Sequence, residues 1–161
     1  MISYFDVDKL SADRLLKEWQ WLCPESLRLV AINAFGDLFL QKQDNAIFRL
    51  DITAGLLVRI SDSLENFRNE ARKPENQKTW FLSDIEAKLE QYGYRLNPEQ
   101  CFGFKIPVVF KESGNRPNNV YMADLYECVS FLGDLHGQLR NQPDGAKVRL
   151  NIGKRPREDN G

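Results

Sequence analysis

The sequence predicts an α+β fold: an antiparallel β-sheet meander packed against about four helices. Three observations carry this expectation. Between residues 27 and 60, short apolar runs of β-forming residues alternate with turn-forming ones. On either side, apolar residues recur at helical spacing behind recognisable start signals. Finally, 161 residues with 42% hydrophobic and 11% aromatic content can bury one core without a disulfide or metal staple.

Taken in order, Ser11 can cap a first helix, with Leu15, Leu16, Trp19 and Leu22 on one face and Pro24 as its stop. Strands follow over 27–33, 37–41, 46–51 and 56–60, joined by Gln43-Asp44-Asn45 and Thr53-Ala54-Gly55, whose Asn and Gly tolerate the positive φ of tight hairpins. Phe35-Gly36 suits a bend between strands. In the fourth run Leu56, Val58 and Ile60 alternate with Leu57 and Arg59, which predicts an apolar face covered by helices and a sheet covered chiefly on one side.

A second helix is signalled by Asp62 and Glu65, with Leu64, Phe67 and Ala71 on a common face and Pro74 closing it. Ser83 and Glu86 form a capping-box pattern ahead of Ile85, Leu89 and Tyr92, with Gly93 at the helix end. Asn97-Pro98 reads as a turn, 101–106 as a strand broken by Pro107, 111–119 as a loop and 120–125 as a strand. The last helix is expected over 127–140, weakened by Gly133, and 147–152 as an edge strand. Residues 1–152 are read as a single domain and 153–161 as a flexible tail.

The formal net charge is -1, so there is no global positive field to gather nucleic acid or an anionic membrane. The opening MISYFDVDKL has neither the basic start and apolar core of a signal peptide nor a bilayer-length apolar run. Three widely spaced cysteines, Cys23, Cys101 and Cys128, form neither a disulfide framework nor a zinc pattern. A cytoplasmic location is expected, with no nucleic-acid partner and no membrane partner.

Chemistry has few anchors. A Cys or Ser nucleophile needs a base, and His136 is the sole histidine. On one helix Cys128 would stand roughly 12 Å from it along the axis, out of reach, whereas Cys23 and Cys101 stay open as partners. The reading favours a structural His136. The acidic pairs Asp6/Asp8 and Asp84/Glu86 lack metal-ligand spacing, and the glycines form no phosphate-binding loop. Lys154, Arg155 and Arg157 are followed by Glu158 and Asp159, and the aromatics lack the flanking basic residues of a stacking platform. The expectation is no cofactor, no metal and no enzymatic activity, with a protein partner. The alternatives are a general interaction or scaffold domain or an enzyme of unrecognised type.

Several runs narrow this. Trp21-Leu22-Cys23-Pro24, Ala31 through Phe39, Leu50-Asp51, Ile60 through Phe67, Trp80-Phe81, Cys101 through Pro107 and Ser130 through His136 occur in this order. In that order they resemble the C-terminal domain of bacterial type VI secretion DNase-immunity proteins and, more distantly, a SUKH-like fold. The N-terminal GAD-like domain often found in that family is expected to be absent here or reduced to residues 1–14. The resemblance implies a non-enzymatic protein that binds and blocks a secreted nuclease toxin, its loops and sheet edge covering the toxin's active site. Because recognition is carried by loops on a rigid scaffold more often than by cores, Lys111, Glu112, Arg116 and Asn118 are the expected partner contacts.

Overall fold

The computed structural model describes residues 4–105, 119–147 and 149. The fold is α+β, with antiparallel sheets and several helices. Four strands, β1 (Arg28–Ile32), β2 (Leu38–Gln41), β3 (Ile47–Asp51) and β4 (Leu56–Ser61), form an antiparallel sheet in the order β1-β2-β3-β4. The expected hairpins close as the residues dictate. Asn45 at φ 71° and Gly55 at φ 70° take the left-handed corners, and the Asp51 carboxylate accepts from Thr53 N, Thr53 Oγ1 and Ala54 N. The bend before β2 turns on Gly36, at φ 87°.

The expectation of a sheet covered chiefly on one side is corrected: both faces are packed. Helix α1 (Ala12–Leu16), a 3₁₀ turn (Lys17–Trp19) and helix α5 (Leu125–Leu139) bury Leu38, Leu40 and Leu50 on one face against Leu15, Trp19, Val129 and Leu132. On the other face, helix α2 (Leu64–Ala71) and Phe81 cover Ala31, Phe39 and Ile47. Strands β1 and β2 accordingly read as continuous apolar runs, Leu29-Val30-Ala31-Ile32 and Leu38-Phe39-Leu40, all buried, as two-sided packing requires.

β4 departs from its predicted face. Leu57 turns toward the α1/α5 side, while Leu56 and Val58 stay exposed and only Ile60 packs under α2. Two features cause this. A register shift between Ile47 and Phe48 sets Phe48 opposite Arg59 and Ile47 opposite Ser61, offsetting Ile60 from the simple alternation. Helix α2, eight residues and therefore about 12 Å long, starts just after Ser61 and covers only that end of the strand.

The helices correct the sequence reading at their ends. Ser11 does cap α1, accepting from Arg14 N at 3.3 Å, but the helix tightens into the 3₁₀ turn well before Pro24. α2 is capped by Ser63, whose Oγ accepts from Asn66 N at 3.1 Å, not by Asp62, which pairs with Arg59. Pro74 opens a helix as well as ending one: α3 (Pro74–Thr79) carries it in the first turn, where a missing N–H costs nothing. In α4 (Ser83–Gln91) the capping position is Leu82, in the left-handed region at φ 54°, so the Ser83/Glu86 box does not form. Glu86 instead accepts from the Tyr4 hydroxyl, and burial with Glu90 nearby pushes it up to about 7. Ile85 and Tyr92 are exposed, leaving Leu89 as the buried anchor of α4, and Gly93 ends the helix at φ 91° as expected.

The predicted strands near 101 and 120 form a second sheet rather than joining the meander: β5 (Gln100–Phe104) pairs antiparallel with β6 (Val120–Asp124), Phe102 opposite Met122. Ala34, Phe35, Leu89, Phe102 and Val120 form its core. α5 starts at Leu125, capped by Asp124, whose Oδ1 accepts from Glu127 N at 3.0 Å. Gly133 is a packing requirement rather than a weakness. A Cβ there would stand 2.8 Å from Trp19 Nε1 and 2.9 Å from the Glu18 carbonyl. Pro107 and the 111–119 loop, apart from Asn119, lie outside the described residues, as does the tail from 153. Of the expected 147–152 strand, Lys147 and Arg149 are described and neither is in a strand.

Candidate protein-interaction surface

The surface is built on β4, which among the described residues pairs with β3 alone and so forms an edge of the sheet. Its sequence, Leu56-Leu57-Val58-Arg59-Ile60-Ser61, puts Leu56 and Val58 two residues apart on one face, 56% and 49% exposed. Its one charged residue is engaged within the chain, Arg59 Nη2 lying 2.8 Å from Asp62 Oδ1. No proline or lysine interrupts the strand, although such residues commonly protect an edge from pairing.

The edge is held in place from behind. His136 on α5 is 6% exposed and lies under the β3–β4 turn, its Nε2 3.1 Å from the Thr53 carbonyl. With a carbonyl as partner, that nitrogen is the protonated one in the neutral ring. Gly55 passes so close that a Cβ would meet His136 Nδ1 at 2.6 Å. Burial pushes the His136 pKa down, while the Thr53 and Ile52 carbonyls and the Asp51 charge pull it back up. The imidazole therefore clamps the hairpin to α5, in keeping with a structural histidine.

A largely buried polar network anchors the same end of β3, from Arg49 to Ile52. Asp37, 1% exposed, accepts from Asn33 Nδ2 at 2.9 Å, Arg49 Nη2 at 2.6 Å and Ile52 N at 3.0 Å. Asn33 Oδ1 accepts from Phe35 N and Asp37 N, and its amide donates to the Trp80 carbonyl. Arg49 Nη1 reaches the Thr79 carbonyl at 2.8 Å. Burial pushes the Asp37 pKa up, the Asp51 charge adds to that, and Arg49 and Asn33 oppose it. Arg49 stands opposite Val58 in the β3–β4 register, so the network fixes the strand against which the apolar edge rests.

Sequence reasoning singled out none of Asn33, Asp37, Arg49 or Val58 as a functional or anchoring residue. For Asp37 and Arg49 the signal was present, a charged residue next to or within a run of apolar residues. The residues it did single out, Lys111, Glu112, Arg116 and Asn118, lie outside the described residues. Cys23, Cys101 and Cys128 are free and buried. Burial pushes Cys23 up to about 11, and hydrogen bonding to Cys128 together with burial holds Cys101 well above the ordinary thiol range. Both are thereby kept as thiols rather than nucleophilic thiolates.

Among the described residues no group of three or more His, Cys, Asp or Glu side chains could hold a metal ion, and no helix is long and apolar enough to cross a membrane. No protein-family model matches the chain, and no curated protein matches it.

Proposed function

We propose that this chain is a protein-binding module of the immunity type, acting in the cytoplasm by seating on a secreted nuclease toxin and blocking it. One observation carries the reading: an edge strand with Leu56 and Val58 exposed on one face, anchored behind by the His136 clamp and flanked on that same face by the Asp37–Arg49 pair. Single exposed apolar side chains are ordinary, but two on an unprotected strand edge offer both main-chain hydrogen-bonding groups and an apolar contact to an extended partner segment. The ordered resemblance of residues 15–140 to DNase-immunity proteins names the kind of partner. The 111–118 segment remains a proposed second contact.

The test is co-expression with the product of the adjacent gene. The expected result is relief of growth inhibition and co-purification of the pair, with Val58→Lys weakening the complex about tenfold or more, as loss of a central apolar contact does. A neighbour that is harmless and does not bind removes the toxin reading, and full binding by Val58→Lys removes β4 from the interface.

A further inference from the structure

On the β1 side of the molecule, opposite the β4 edge, the segment 6–10 and the turn 97–100 face one another across a cleft of about 490 Å³. Ile32, at the end of β1, and Leu125, at the start of α5, form an apolar floor, and both are buried. Leu10 continues the apolar lining. The N-terminal segment contributes Asp6 and Lys9 to the lining and the turn contributes Glu99, all three exposed. None of the three charged side chains forms an ion pair among the described residues.

The walls are fixed by backbone contacts. Ile32 N donates to the Tyr4 carbonyl at 2.8 Å and Leu10 N to the Val7 carbonyl at 3.0 Å, holding the N-terminal segment. Gln100 N donates to the Asn97 carbonyl at 3.1 Å, closing the turn, and Leu125 N donates to the Glu99 carbonyl at 2.8 Å. Glu99 itself occupies the left-handed region at φ 62°.

We propose that this cleft receives an arginine side chain presented by a protein partner. Its volume is in the range of side-chain and small-ligand pockets. Two carboxylates against one ammonium leave a net charge of -1 at the rim, which favours a cation over an anion. The leucine and isoleucine floor suits the three-carbon stem of arginine, and the planar guanidinium has donors along several edges for the carboxylates at the rim. Lysine matches the floor but offers a compact, strongly hydrated point charge. The cleft is separate from the β4 reading and stands or falls independently of it.

The probe is N-acetyl-arginine methylamide, titrated into the ¹⁵N-labelled full chain, with the norleucine and glutamate counterparts as controls. The expected result is saturable shifts of the Leu10, Glu99, Gln100 and Leu125 amides with the arginine probe, much weaker shifts with norleucine and none with glutamate. Asp6→Asn combined with Glu99→Gln weakens the arginine probe about tenfold or more, the size of a lost charge-assisted hydrogen bond. Lys9→Glu, which adds a third carboxylate to the rim, tightens it several-fold, and Val58→Lys leaves it unchanged. The absence of shifts at these amides, equal response to norleucine, or unchanged affinity in both rim variants overturns the proposal.

Discussion

The two halves of the four-stranded sheet obey different rules. In the β1–β2 half every residue from Leu29 to Ile32 and from Leu38 to Leu40 is buried, and helices or aromatic side chains cover both faces. In the β3–β4 half, cover thins toward the edge until Leu56 and Val58 meet solvent. The same β-forming residues thus serve stability in one half and presentation in the other. What separates them is the cover each receives, above all the reach of α2, and not the place of the strand, since β1 ends the sheet as β4 does.

The largest test of that contrast is truncation on each side. Phe39→Ala, in the doubly covered strand, should cost about 3–5 kcal/mol by loss of a fully buried aromatic, whereas Val58→Ala should cost under about 1 kcal/mol, as for an edge position. Urea unfolding measures both, and similar losses would mean that the halves are not energetically distinct.

Next is the network joining them. Asp37→Ala leaves the partly buried Arg49 guanidinium without its carboxylate and the Ile52 and Asn33 donors without their acceptor, and should cost about 2–4 kcal/mol. Adding Arg49→Met should recover a large part, because no charge is then left unpaired. If the double variant is as unstable as the single one, hydrogen bonding to Asn33 and Ile52, rather than the ion pair, is what the site supplies.

The smallest effect concerns the hairpin clamp. The pKa of His136 is lowered in the folded state, so its contribution is fully present above 6.5, the unfolded value, and is lost as pH falls through the folded value. Between pH 7 and 5, hydrogen-exchange protection of the amides from Thr53 to Ser61 should fall more than that of β2, after correction for intrinsic rates. Glu86 works in the opposite sense: raised from 4.5 to about 7, it contributes most below 4.5 and loses that contribution as pH rises through 7. Following exchange in His136→Gln separates the two, since its hairpin should show no such fall.

Local rules were legible where local chemistry decides. Ser11, Gly36, Asn45, Gly55 and Gly93 stand where their backbone preferences place them. The Ser83/Glu86 box misled because Leu82 takes the left-handed corner and moves the helix start, while the Tyr4 hydroxyl claims the glutamate from 82 positions away. The alternation in β4 correctly marks a strand, but periodicity cannot say where the following helix ends and so which apolar side chains stay uncovered. The surface was hidden for the same reason. That β4 is an edge depends on strand order, and the Asp37–Arg49 pair depends on the register that sets Phe39 opposite Arg49. The cleft needs four distant segments, around 6–10, 32, 96–100 and 125, brought together by the fold.

The indole of Trp19 donates to the Val129 carbonyl across 110 positions of sequence, and Gly133 makes room for that ring. During synthesis the four meander strands emerge together, within residues 28–61, and their hairpins are local contacts. The first helix has no such local partner. Its apolar face can meet Leu38, Leu40 and Leu50 of the sheet early but is closed over only by α5, so in an incomplete chain its tryptophan and two leucines stay partly uncovered until nearly the whole domain has been made. Chaperone contact with the nascent chain is therefore expected to concentrate at residues 12–19, and to end when Gly133 leaves the ribosome.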